Sequence, residues 1–236
     1  MDQPDVPDSA LAIYAHPNDP EVSCGGTLTA WASQGARVWV LLTSLGDKGS
    51  RDPQTDPKQL TQMRADETKK AAKVLELVDY FHLDHPDGEL EDNTALREEI
   101  THFIRELQPE VVLCPDPTAV FFGDGYVNNR DHRVTGWATL DAVSTSAANP
   151  HYFPAQIKTG LQPHHVSAIY LSGTHEPNEW VDISDHLDTK IDALFCHQSQ
   201  LRHSDDWFRA FLRDRAEQAG RQAGTKYAEP FRKLSF

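Results

Sequence analysis

Two short polar segments carry most of the residues in this chain that could do chemistry, and each follows an apolar run. The first is His16-Pro17-Asn18-Asp19-Pro20-Glu21, succeeded by Cys24-Gly25-Gly26. The second closes a long loop as Asn128-Asn129-Arg130-Asp131-His132. Two imidazoles and one carboxylate, from His16, Asp19 and His132, are a usual donor set for a catalytic divalent ion. Such a set leaves one position for a water, whose pKa the ion brings down to about 7. His16 and Asp19 stand three residues apart across a tight turn, so both can address one ion. Asp131 is placed to orient a ligand histidine from behind. Zn2+ is the expected ion, and Fe2+ or Co2+ would accept the same donors.

These segments need a scaffold that brings them together. Leu11 to Ala15, residues 37–43 and residues 110–114 are short unbroken apolar runs, the signature of strands buried on both faces. Residues 78–83 read as a further strand, and 166–172 and 179–183 as two more. Helices are expected over 25–34 (closed by Gly35), 59–77, 185–201 and 206–222. The clearest one contains Leu96, Ile100, Phe103, Ile104 and Leu107 at helical spacing. Strands alternating with helices predict an α/β fold with a mostly parallel, Rossmann-like sheet in one domain over residues 1–236. In such sheets ligands bind beyond the carboxyl ends of strands where the strand order reverses. If the first and fourth strands are neighbours there, His16, Asp19 and His132 converge. A dinucleotide is the competing ligand, but the glycines after the first strand form no GxGxxG and no acid stands where a ribose partner belongs.

Composition narrows the function classes. Hydrophobic residues make up 39% of 236 residues, enough for a real core. Acidic residues outnumber basic ones 36 to 22, for a net charge of −14, which repels phosphate backbones and anionic lipid. The expected partner is a small-molecule substrate, not nucleic acid or a membrane; a homo-oligomer is compatible with the sequence. Cys24, Cys114 and Cys196 are widely spaced and suit a reducing compartment. The first ten residues carry acids and prolines where a signal peptide needs basic and then apolar ones, so the expected location is the cytoplasm.

At these segments the chain resembles the LmbE-like, or PIG-L, family of zinc-dependent deacetylases. Family members carry AHPDDE followed by GCGGT near the N-terminus and HPDH about a hundred residues later. Here the corresponding residues are Ala15 to Pro20 with Cys24 to Thr27, and Asn129 to His132. The GDKGS run at 46–50, PDGEL at 86–90 and CHQSQ at 196–200 extend the likeness over most of the chain. The resemblance implies the same three metal ligands and hydrolysis of an N-acylated small molecule, such as an amino sugar or its conjugate. It also marks two departures. The family's general base is here Asn18, an amide that can accept a hydrogen bond from water but cannot take its proton. The family's first motif histidine is here Asn129, which can still donate to an oxyanion. Pro20 replaces the motif glutamate and is expected to disturb the turn. Either Glu21 or Asp131 then serves as base, or the metal acts as a Lewis acid in other chemistry, or the chain holds metal without turnover.

Further residues carry two readings each. Arg64 is a substrate contact near the site mouth or a solvated helix residue, and Asp116 a ligand contact or a turn residue in Pro-Asp-Pro. Tyr126, with Phe121 and Phe122, walls a pocket, moves as a lid or simply packs. His85 is expected to precede a turn, His197 to pack in a helix, and His203 to lie on the surface.

Overall fold

The computed structural model describes residues 6–201 and 205–236; His203 and the first five residues, on which part of the expected cytoplasmic location rests, lie outside them. The first half of the chain gives β1 (Ser9–Tyr14), α1 (Asp19–Ser33), β2 (Arg37–Leu42), α2 (Pro57–Val74), β3 (Asp79–His82), α3 (Thr94–Leu107) and β4 (Val111–Pro115). A two-stranded hairpin, β5 (Phe121–Phe122) and β6 (Tyr126–Val127), precedes α4 (Arg130–Asp141), which runs on into a π-helical turn at Ala142–Ser146. Then come α5 (Pro154–Lys158), β7 (Ala168–Ser172), β8 (Glu179–Asp182), α6 (Leu187–Leu194), α7 (Gln198–Leu201), α8 (Asp205–Ala223) and β9 (Ala228–Ser235).

Seven strands form one sheet in the order β3-β2-β1-β4-β7-β9-β8. The first five run parallel, and β9 is antiparallel to both its neighbours. The expected α/β architecture is therefore present, with β1 and β4 side by side through Ala10↔Val111 and Leu11↔Val112. Every residue of β1 is buried. Ala10, Ala12 and Tyr14 pack into the layer holding Leu28, Trp31 and Ile191, while Leu11 and Ile13 join Ile100, Ile104 and Ala138 on the other face. That two-sided burial is why the strand reads as a continuous apolar run.

Helix α1 begins six residues earlier than expected, at Asp19, and Pro20 does not disturb the turn. It occupies the first turn of the helix, where a missing N–H leaves no hydrogen bond unmade. Asn18 caps the helix in the left-handed region (φ 77°), which asparagine tolerates better than most residues. Gly26 lies so close to the chain after β8 that a Cβ there would stand 2.8 Å from the Ile183 side chain.

The C-terminal third folds back on this helix. Glu229 of β9 accepts from Gly26 N (3.0 Å), Thr27 N (2.7 Å) and Thr27 Oγ1 (2.6 Å), and is ion-paired with Lys190 of α6. Lys190 Nζ also donates to the Val22 carbonyl at 2.9 Å. The buried pair thus engages both partners of one step in the α1 ladder, Val22 C=O and Gly26 N–H. The expected helix over 185–201 is broken into α6 and α7. No helix among the described residues is long and apolar enough to cross a membrane.

Candidate metal centre

The chain leaves β1 toward β2 and β3 on one side, and β4 and β7 lie on the other, so the crevice opens beyond the carboxyl ends of β1 and β4. His16 lies two residues past β1, Asp19 is the first residue of α1, and His132 sits in the first turn of α4. His132 Nε2 is 3.1 Å from Asp19 Oδ2, and His16 Nδ1 is 3.5 Å from the same oxygen. One donor atom from each of the three residues lies within 4.8 Å of the others. The donors are two imidazole nitrogens and a carboxylate oxygen, so the arrangement fits a divalent ion.

Each histidine is oriented from behind. His16 Nε2 faces Asp87 Oδ1 at 3.0 Å and Asp131 Oδ2 at 3.3 Å, which leaves Nδ1 toward Asp19. Asp131 is itself fixed, with Oδ2 accepting from Gly88 N at 2.6 Å. On the other side, Asn128 Nδ2 donates to the Ala119 carbonyl (2.9 Å), which turns Asn128 Oδ1 to His132 Nδ1 at 3.2 Å. His132 then carries its proton on Nδ1 and presents Nε2 to the centre.

Electrostatics follow from this packing. Burial opposes charge on His16, but hydrogen bonds to Asp131, Asp19 and Asp87 outweigh it and push the imidazole up to about 12. Burial also opposes charge on Asp19, yet His132 and His16 hold its carboxyl well below the usual range. Asp131 is lowered as well: burial works against its charge, and the bonds from His16 and Gly88 prevail. Three carboxylates around one imidazolium make a locus that favours a cation.

The other expected site residues are placed differently from one another. Asn18 is half-buried beside Asp19 in the cap of α1. Asn129 is exposed and caps α4, its Oδ1 accepting from Asp131 N at 2.8 Å, so its amide nitrogen remains for other partners. Glu21 is buried and faces His197, 3.4 Å away, not the ligand atoms. Arg64 is not a solvated helix residue. It is 4% exposed and donates from Nη1 to the Gly46 carbonyl at 2.8 Å, supporting the loop after β2. Asp116 Oδ1 accepts from Thr118 N (2.9 Å) and Thr118 Oγ1 (2.6 Å), so that oxygen makes a turn. Tyr126 lies in the hairpin, exposed, with its ring 6.0 Å from that of Phe122. The N–H groups of Gly26 and Thr27 are taken by Glu229 and are not free to polarise an acyl oxygen. His85 pairs with Glu99 instead of the centre.

Two supporting residues were missed by sequence reasoning. Asp87 belongs to the PDGEL run and to the turn after His85, and nothing local shows that this turn lands behind His16. Asn128 stands four residues before His132, a spacing that could have drawn attention to it. A cleft of about 690 Å³ adjoins the centre, lined by Asp19, Asn128 and His132 at one end and by Phe122, Tyr126, Trp207 and Phe211 elsewhere.

Comparison with known proteins agrees with the geometry. The PIG-L family, described as GlcNAc-PI de-N-acetylase, matches residues 11–143. A diacetylchitobiose deacetylase of Thermococcus kodakarensis is 34% identical over 224 residues, spanning 94% of this chain and 81% of the relative. A 1D-myo-inositol 2-acetamido-2-deoxy-alpha-D-glucopyranoside deacetylase of Mycobacteroides abscessus is 26% identical over 83% of this chain and 82% of its own. Among solved structures, the N,N'-diacetylchitobiose deacetylase from Pyrococcus horikoshii, complexed with its inhibitor MPG, has a TM-score of 0.89 and 29% identity. It covers 97% of this chain and 84% of that one. The chain is a member of the PIG-L family of de-N-acetylases.

Proposed function

We propose that the protein is a zinc-dependent N-deacetylase of an N-acetylated amino sugar or its conjugate, with the metal held by His16, Asp19 and His132. The observation that carries this reading is the meeting of those three donor groups at the switch point of the sheet. The deacetylases of N-acetylated sugars among its relatives support the substrate class. When bound, the ion supplies Lewis acidity, polarising the acyl carbonyl and acidifying a water.

The remaining work falls to the chain's own side chains. Asp131 and Asp87 hold His16 by its Nε2, and Asn128 holds His132 by its Nδ1, so both ligand nitrogens are set before substrate arrives. Asn18, next to Asp19, offers an amide oxygen that can orient a water. Asn129, with Oδ1 engaged in the helix cap, offers its Nδ2–H to the developing oxyanion. Neither amide moves a proton. Glu21 and Asp131 are poor substitutes, because one is buried against His197 and the other is committed to His16 and Gly88. The same two amides favour a second reading, a family member with impaired turnover that retains metal and ligand binding. A reducing compartment suits the three thiols, and the net charge of −14 weighs against nucleic acid and anionic membranes as partners.

The test is release of primary amine from N-acetylglucosamine and N,N'-diacetylchitobiose, with zinc stoichiometry measured on the same sample. The expected result is one zinc per chain and slow, chelator-sensitive hydrolysis. Full metal occupancy without hydrolysis would select the second reading, and absence of bound metal would sink both.

A further inference from the structure

Helix α8 places Trp207, Phe211 and Arg215 at i, i+4 and i+8, and all three line the cleft beside the metal centre. Trp207 and Phe211 stack with centroids 5.1 Å apart and planes 9° from parallel. The Arg215 guanidinium lies 5.5 Å from the Phe211 centroid and braces the ladder from the next turn. Phe208 packs edge-on against Trp207 at 4.9 Å. Even so, Trp207 is 60% exposed, which leaves much of a large aromatic surface without a partner. The hairpin lines the same cleft with Phe122 and Tyr126 and is held in place by His175, whose Nε2 donates to the Phe121 carbonyl at 2.8 Å.

The lining of this cleft is uneven in its chemistry. Asp19 is the one carboxylate and Asn128 the one carboxamide in its described lining, and both belong to the metal end. Away from that end the lining is mainly aromatic, with the Ser23 and Tyr126 hydroxyls and the Arg215 guanidinium as its polar groups, so a flat apolar ring can bury its faces on Trp207 and Phe211. A volume of about 690 Å³ accommodates such a ring together with an N-acyl sugar.

Resting on the deacetylase reading above, we propose that the Trp207–Phe211 ladder is an aglycone subsite. The substrate is an N-acyl amino sugar that carries an aromatic or similarly flat apolar group, seated on Trp207 while the N-acyl group reaches Asp19 and His132.

The test compares N-acetylglucosamine, N,N'-diacetylchitobiose and phenyl N-acetyl-β-glucosaminide on the zinc-loaded full chain, unaltered and as Trp207→Ala and Trp207→Phe. The phenyl glycoside is expected to exceed the free sugar in kcat/KM by about tenfold or more, through KM, as burial of one ring would give. That ratio falls toward one in Trp207→Ala and is largely kept in Trp207→Phe. Calorimetric binding of the same three compounds reads the same contrast without turnover. Loss of hydrolysis of all three therefore counts against the deacetylase reading, while the binding ratio still decides the subsite. A phenyl advantage that survives Trp207→Ala, or one that diacetylchitobiose equals or exceeds, overturns the inference.

Discussion

His16 and His132 approach the same point from two elements that are far apart in sequence, yet they are braced by different chemistry. Behind His16 stand two carboxylates, Asp87 and Asp131; behind His132 stands a neutral amide, Asn128. The carboxylates of Asp131, Asp19 and Asp87 outweigh burial and make His16 strongly basic. The amide fixes the ring of His132 and its tautomer without adding negative charge. Each side also carries one amide near the centre, Asn18 beside His16's loop and Asn129 at the cap of His132's helix. The residues that orient the two imidazoles are therefore distinct from the two amides, and either set can change while the other is kept.

The strongest way to sharpen this comparison is to restore proton transfer on both sides. The double variant Asn18→Asp, Asn129→His is expected to raise kcat for amide hydrolysis by about 100-fold or more, since general acid–base help is worth roughly 10²–10⁴-fold. Steady-state amine release checks it, and an unchanged kcat would show that the amides do not limit the parent. A smaller effect separates the two braces. Asp131→Asn is expected to weaken zinc binding by about 10–100-fold, while Asn128→Ala stays near or below the lower end of that range. Competition with a fluorescent chelator gives both constants, and the reverse ranking would break the comparison.

A third effect concerns the metal-free protein. The folded pKa of His16 is raised, to about 12, above its unfolded value of about 6.5. Its contribution to stability is therefore fully present below about 6.5 and declines as pH rises toward 12. Thermal melts of chelator-treated protein should show Tm falling between pH 6.5 and 9 more steeply in the parent than in His16→Gln. Equal slopes would remove His16 as the cause.

Much of this was legible because burial on two faces writes itself into sequence as unbroken apolar runs. Leu11 to Ala15 and Val111 to Cys114 announce the strands that carry the two loops of the candidate metal centre, and the abrupt change at His16 marks its place. Strand β9 was illegible for the opposite reason. Its AEPFRKLS run alternates charge with apolar residues, and Pro230 reads as a breaker, although the strand pairs on both sides. The start of α1 was hidden by Pro17 and Pro20, which look like stops but flank or fill a first turn. Asp87 and Glu229 gain their roles from residues 71 and 203 positions away, and no local pattern records such meetings.

The Glu229 clasp also bears on how the chain assembles during synthesis. Gly26 and Glu229 are separated by 203 residues, which a ribosome adds in about 10–40 s at 5–20 residues per second. Lys190 emerges late in that interval, 39 residues before Glu229, so for about 2–8 s its ammonium lacks the carboxylate that neutralises it in the interior. The helix that holds Asp19 emerges among the first elements of the nascent chain and is locked among the last.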